Sequence, residues 1–129
     1  MNFLSGHTSS LLSALRLMSG LLFLQHGTTK YLSLPPSDFS GVAPLSLPGI
    51  AGMIELATGL LIAVGLFTRP AAFLASGTMA AAYFLAHAPQ NFYPILNGGE
   101  LAVLYCFVFL YLAAAGGGRF SVDALLGRA

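Results

Sequence analysis

The stretch Leu47–Phe67, LPGIAGMIELATGLLIAVGLF, decides the fold. Glu55 is its sole charged residue, and the run is long enough to cross about 30 Å of bilayer hydrocarbon, which takes about 20 mostly apolar residues. Backbone groups in lipid must be paired within the segment, so the run reads as a helix. On its C-terminal side Thr68-Arg69-Pro70 forms a tight turn. Thr68 is expected to cap the next helix, with Pro70 in the first turn, where its missing N–H does no harm. A third span then runs from Arg69-Pro70 to about His87, and a fourth from near Asn97 to the Gly116-Gly117-Gly118 break. The connection HAPQNFYPILN places Phe92 and Tyr93 at interface depth, where aromatic residues anchor. On the N-terminal side a Pro- and Ser-rich loop leads back to a span from about Ser9 to Leu32. That segment lacks a basic n-region, so it reads as a retained span and not as a removed signal peptide.

Composition agrees. Of 129 residues, 57% are hydrophobic and only 7% charged, with a mean hydropathy of +0.83; soluble domains carry about a quarter charged residues. The expectation is one all-α domain over 1–129, an integral membrane four-helix bundle with up-down topology. The tail RFSVDALLGRA is expected to form a short amphipathic surface helix capped by Ser121, with Asp123 in its first turn. The small residues Gly52, Gly59, Gly77 and Ala81 are expected to let helices approach closely. A net charge of +1 provides no field for nucleic acid. The lone Cys106 excludes an internal disulfide and a structural zinc site of paired cysteines.

Positive charges orient the bundle. Arg69, Arg119 and Arg128 share a side with both termini, whereas the other side has Lys30 near a span end. Both termini are therefore expected in the cytoplasm.

Ionisable groups inside spans cost about 2.5–3.5 kcal/mol each on insertion scales and usually face a bundle interior or cavity. Here they are Arg16, His26, Lys30, Glu55, His87 and Glu100, accompanied by Gln25, Asn91 and Asn97. All six ionisable groups except Arg16 fall in the outer half. Arg16, Gly20, Phe23, Gly27 and Lys30 follow helical i, i+3 and i+4 spacing, so they share a stripe that His26 borders. If that stripe faces inward, Glu55 and Glu100 can compensate His26 and Lys30 around an outer-half pocket. The candidate ligand-binding residues are His26, Lys30, Glu55, His87, Asn97 and Glu100, with Arg16 and Arg69 as structural or orienting groups. Snorkelling of Lys30 and Arg16 is the bland alternative. No Glu-x-x-His pairing supports a metal site. No Ser/His/Asp spacing supports nucleophilic catalysis, and the triple glycine lacks a following Lys-Ser/Thr, so it is not a phosphate loop.

These residues resemble the DoxX family of small bacterial inner-membrane proteins. The likeness lies in Arg16 with the Phe23–Lys30 run FLQHGTTK, in Glu55–Gly59 ELATG and in Gly65–Arg69 GLFTR. It continues in Asn97–Glu100 NGGE and Gly118–Asp123 GRFSVD, although Phe120 stands where a smaller apolar residue is expected. The resemblance implies a four-helix inner-membrane bundle without fixing an activity. Relatives include a quinone-linked thiosulfate oxidoreductase subunit and proteins tied to oxidative-stress complexes. The family is also distantly similar to four-helix thiol-redox membrane proteins, whose cysteine pairs are missing here.

Three readings follow. The first is a subunit of a membrane redox or respiratory assembly, binding quinone or lipid at the outer-half groups, with other membrane subunits or further copies of itself as partners. The second is a non-catalytic accessory or assembly protein whose polar residues fix helix register. The third is a small transporter. Whether the chain is an enzyme is left open by the sequence.

Overall fold

The computed structural model describes residues 1–128; the last residue of the tail, Ala129, lies outside that range. The described residues form helices and turns without strands. After a 3₁₀ segment at Asn2–His7, α1 spans Thr8–Leu32, α2 Leu47–Val64, α3 Thr68–Ala82, α4 Pro94–Asn97, α5 Glu100–Ala115 and α6 Val122–Leu125. The helices pair as two hairpins, α1 with α2 and α3 with α5. These meet along α2 and α3, whereas the backbones of α1 and α5 hardly approach.

Glycine makes the first hairpin tight. A Cβ on Gly20 would lie 2.6 Å from the Ala63 nitrogen, and one on Gly59 would lie 2.8 Å from the Leu24 Cα. Contact at that range replaces hydrophobic drive where the solvent is itself apolar. The stripe Arg16, Gly20, Phe23, Gly27, Lys30 is buried, its glycines against α2 and Phe23 against the Tyr105 and Phe109 rings of α5. Ala71, Ala72, Ala75 and Met79 of α3 pack on Ala102, Tyr105, Phe109 and Leu112 of α5. The Ser76 hydroxyl donates to the Cys106 carbonyl at 2.7 Å. Gly77 and Ala81 differ from expectation. Both are exposed, and nothing lies within 4 Å of a Cβ built on Gly77.

The outward faces are apolar, with Leu15, Leu22, Leu60, Phe73, Leu104 and Phe107 all exposed. By length and composition, α2 can cross a membrane, with 18 residues at hydropathy 1.8; α5 is apolar but 16 residues long.

Helix ends depart from the sequence reading in instructive ways. α2 stops at Val64 because Gly65 turns left-handed, φ 74°, and the N–H groups of Gly65 and Leu66 fold back onto the Ile62 and Leu61 carbonyls. Thr68 is not the cap of α3. Phe67 occupies that position at φ 48°, and the Asp123 carboxylate accepts the N–H groups of Phe67 and Thr68, both at 2.9 Å. The third segment reaches His87 by changing to a π turn over Tyr83–His87. The fourth long helix begins at Glu100, after the separate turn of α4 and Gly98 at φ 71°. The tail folds under the helix ends. α6 is a single turn whose cap Ser121 accepts from the Ala124 N–H at 3.1 Å, and Ser121 and Asp123 are buried. The short tail helix thus forms with the expected Ser121 cap and Asp123 in its first turn, and it is docked through Asp123.

Candidate functional site

α1 carries two of the candidate ligand-binding side chains, Lys30 toward α2 and His26 toward α5. Lys30 donates to both carboxylate oxygens of Glu55, at 3.0 and 2.9 Å. Lys30 is 9% exposed and Glu55 3%, so the charges neutralise each other away from the exterior. One turn deeper, His26 meets Tyr105 of α5 edge to face, with ring centres 6.0 Å apart and planes at 87°. Tyr105 also packs edge-on to Phe23 at 5.4 Å and stacks on Phe109 at 5.3 Å. These rings bridge a seam that the α1 and α5 backbones leave open.

Most polar groups in the helices are satisfied internally; His26 and Tyr105 are not. Neither His26 nitrogen nor the Tyr105 hydroxyl makes a hydrogen bond to another described residue. Tyr105 is 5% exposed and His26 is half-buried. Both rings stand within the field of the Glu55 charge, and His26 also within that of Lys30. The arrangement can offer a donor and an acceptor to a polar head group that enters from the apolar side.

His87 and Asn97 form a second, separate knot. The His87 Nδ1 pairs with the Asn97 carbonyl at 2.9 Å. The Asn97 amide donates to the Tyr83 hydroxyl at 3.2 Å and to the Asn91 carbonyl at 2.9 Å, and its oxygen accepts the Gly99 N–H at 2.8 Å. This knot holds the α3–α5 connection. Glu100 joins neither group. As the first residue of α5 it is exposed and has no ionic partner among the described residues. The expected compensation of His26 and Lys30 by Glu100 is thus not seen, because the start of α5 turns that side chain outward. Among the described residues no three His, Cys, Asp or Glu side chains gather closely enough to hold a metal ion.

Arg16 lies at the other end, 3% exposed. Its Nε donates to the Gly117 carbonyl at 2.9 Å, one terminal nitrogen to Ile62 and Ala63 at 2.9 and 2.6 Å, and the other to Phe120 at 2.6 Å. A cation here satisfies carbonyls left over at the C-terminus of α2 and in the glycine turn. Arg69 is exposed and donates to the Ala114 carbonyl. Cavities open at this end, around Thr68 and Gly117. The six outer candidates do not converge on one pocket: His26, Lys30 and Glu55 lie between α1 and its neighbours, His87 and Asn97 hold the α3–α5 connection, and Glu100 is exposed.

Tyr105 was not among the sequence candidates. Its face could be read from the Ala102, Tyr105, Phe109, Leu112 spacing, but Tyr111, Phe107 and Leu104 compete on the same helix.

A helical chain with an apolar exterior and ionisable groups drawn into its interior is, by class, a membrane protein. The chain belongs to the DoxX family, whose pattern matches residues 11–88. An uncharacterised protein of Haemophilus influenzae is 41% identical over 128 residues, covering 95% of this chain and 96% of that relative. No solved structure matches it.

Proposed function

We propose that this DoxX protein is a four-span subunit of a redox assembly in the bacterial inner membrane, with both termini cytoplasmic, and that it takes a quinone head group at His26 and Tyr105. The observation that carries this reading is the pair of uncommitted polar rings on the α1–α5 seam, backed by the neutralised Lys30–Glu55 pair. A quinone dissolves in hydrocarbon, so it can reach the seam sideways without crossing water. Its carbonyl can accept the Tyr105 hydroxyl, and a His26 nitrogen within hydrogen-bond reach can exchange a proton with the head group. The chain's own part is to bind, to orient and to move that proton; electrons pass to or from a partner subunit.

The test is a titration of the purified protein in lipid nanodiscs with a short-chain ubiquinone. Saturable binding, weakened about tenfold or more in His26→Ala and in Tyr105→Phe, supports the reading, since tenfold corresponds to about 1.4 kcal/mol. No co-purifying quinone and no saturable binding overturn it.

A second reading is an accessory protein without a ligand. It is favoured by the internal saturation of Arg16, Lys30, Glu55, Asn97 and Asp123. Under it, His26→Ala leaves every property of the assembly unchanged, while Glu55→Gln impairs assembly alone.

A further inference from the structure

The two ends of the molecule differ in charge. All four arginines lie at the end bearing both termini, with one carboxylate, Asp123; the opposite end holds Lys30 with Asp38, Glu55 and Glu100. Arg16 is buried and fully engaged, so Arg69, Arg119 and Arg128 are the cations that face outward.

Arg69 and Arg128 flank a cavity of about 130 Å³ whose wall includes Phe67, Thr68, Gly116 and Gly117. The Arg128 guanidinium lies over the Phe67 ring, 4.8 Å from its centre, which holds the side chain out from the tail. Arg69 lies over Gly116, where an added Cβ would come within 3.3 Å of a guanidinium nitrogen. One hydrogen bond to Ala114 leaves most of its donors free. Asp123 also lines the cavity, but both of its oxygens accept the N–H groups of Phe67 and Thr68. The Thr68 hydroxyl is completely buried in the same wall, beside the Asp123 carboxylate that it helps hold charged. The cavity thus presents two guanidinium groups against one carboxylate whose oxygens already accept two N–H groups.

We infer that this cavity binds the phosphodiester of an anionic glycerophospholipid. Arginine forks suit phosphate oxygens, and basic pockets at a membrane surface attract anionic lipids. The surroundings favour a lipid over free phosphate. Phe67, in the cavity wall under the Arg128 guanidinium, is 50% exposed, and Leu125 and Leu126 in the same tail as Arg128 are exposed at 86% and 54%. These side chains match acyl chains and glycerol while the guanidinium groups reach the phosphate. The site is remote from His26 and does not depend on what binds there.

The experiment is native mass spectrometry of the full chain released from nanodiscs of equal phosphatidylglycerol and phosphatidylcholine. The expected result is retention of phosphatidylglycerol about tenfold over phosphatidylcholine, the discrimination given by about 1.4 kcal/mol. Arg69→Gln/Arg128→Gln should abolish the preference, and Arg69→Lys/Arg128→Lys should restore part of it. Arg119→Gln, outside this cavity, should leave it intact. Both double variants change exposed side chains, and their melting temperatures are measured alongside. Equal retention of the two lipids by the native chain overturns the inference, as does an unchanged preference in the glutamine variant. A parallel arm adds inorganic phosphate; full displacement of the lipid at millimolar phosphate overturns the lipid assignment.

Discussion

The Lys30 ammonium sits between the two carboxylate oxygens of Glu55 and joins α1 to α2 from within, at 3.0 and 2.9 Å. Neither charge has another ionic partner among the described residues. Removing one therefore strands the other in an apolar interior. Glu55→Gln and Lys30→Met should each lower stability by about 3–5 kcal/mol, whereas the double variant Lys30→Met/Glu55→Leu should return close to native. Melting in one fixed detergent distinguishes the cases. A double variant no more stable than either single one would show that the pair is not self-contained.

Gly20 offers a test of the α1–α2 contact that involves no charge. Its missing side chain faces the Ala63 nitrogen at 2.6 Å and the Ala63 Cα at 2.9 Å, both backbone atoms that cannot rotate away. Gly20→Val should force the helices apart and cost about 1–3 kcal/mol, despite the gain in apolar surface. Gly77→Val adds side chain to open space and should melt within about 0.5 kcal/mol of native, as exposed substitutions usually do. Equal losses at the two positions would contradict the packing described.

What the sequence made legible follows from distance along the chain. The stripe from Arg16 to Lys30 stands out because charges are rare in an apolar run and recur at helical spacing, and that stripe is buried. Glu55 stands out for the same reason. Glu100 was misplaced because α5 is apolar all round, so the spacing of its buried face competes with equally apolar faces. Tyr105 was missed on the same helix for the same reason. The cap of α3 was illegible in another way. Thr68 has the right chemistry at the right place, yet the group that caps is Asp123, 55 residues further on. Local rules do not reach a partner supplied by the tail.

Asp123 makes docking of the tail depend on pH. Burial pushes its carboxyl up, but the N–H and hydroxyl of Thr68, the N–H of Phe67 and the charge of Arg128 outweigh this and hold it below the usual value of 3.8. A group depressed on folding stabilises fully above its unfolded value and loses that contribution as pH falls through its folded one. Protection of the Phe67 and Thr68 amides from hydrogen exchange, corrected for the intrinsic rate, should therefore be constant above about pH 5, roughly one unit above that unfolded value, and should decline below it. Asp123→Asn should weaken protection at neutral pH by about 1 kcal/mol, as for loss of a helix cap, and should flatten the profile. An unchanged profile in the variant would mean that another group titrates.

Arg16 supplies the most stringent test of how the two ends of the chain are joined. Its guanidinium holds the last carbonyls of α2 and the carbonyls of Gly117 and Phe120 at once. Ser13 reinforces the same point, with its hydroxyl donating to Gly117 at 3.1 Å and accepting the Phe120 N–H at 3.0 Å. A lysine keeps the charge but has one nitrogen on a flexible stem, so it cannot span carbonyls on two segments. Arg16→Lys should therefore lose on the order of 2 kcal/mol, and Arg16→Ala more, since hydrogen bonds to a charged group contribute about 1.5–3 kcal/mol each before relaxation. The loss should be local first. Limited proteolysis in the Gly116–Gly118 turn should accelerate in Arg16→Lys while α1–α2 contacts, followed by hydrogen exchange of the amides in the middle of both helices, persist. If the lysine variant cleaves at the native rate, charge alone holds the tail, and the forked geometry is not what matters.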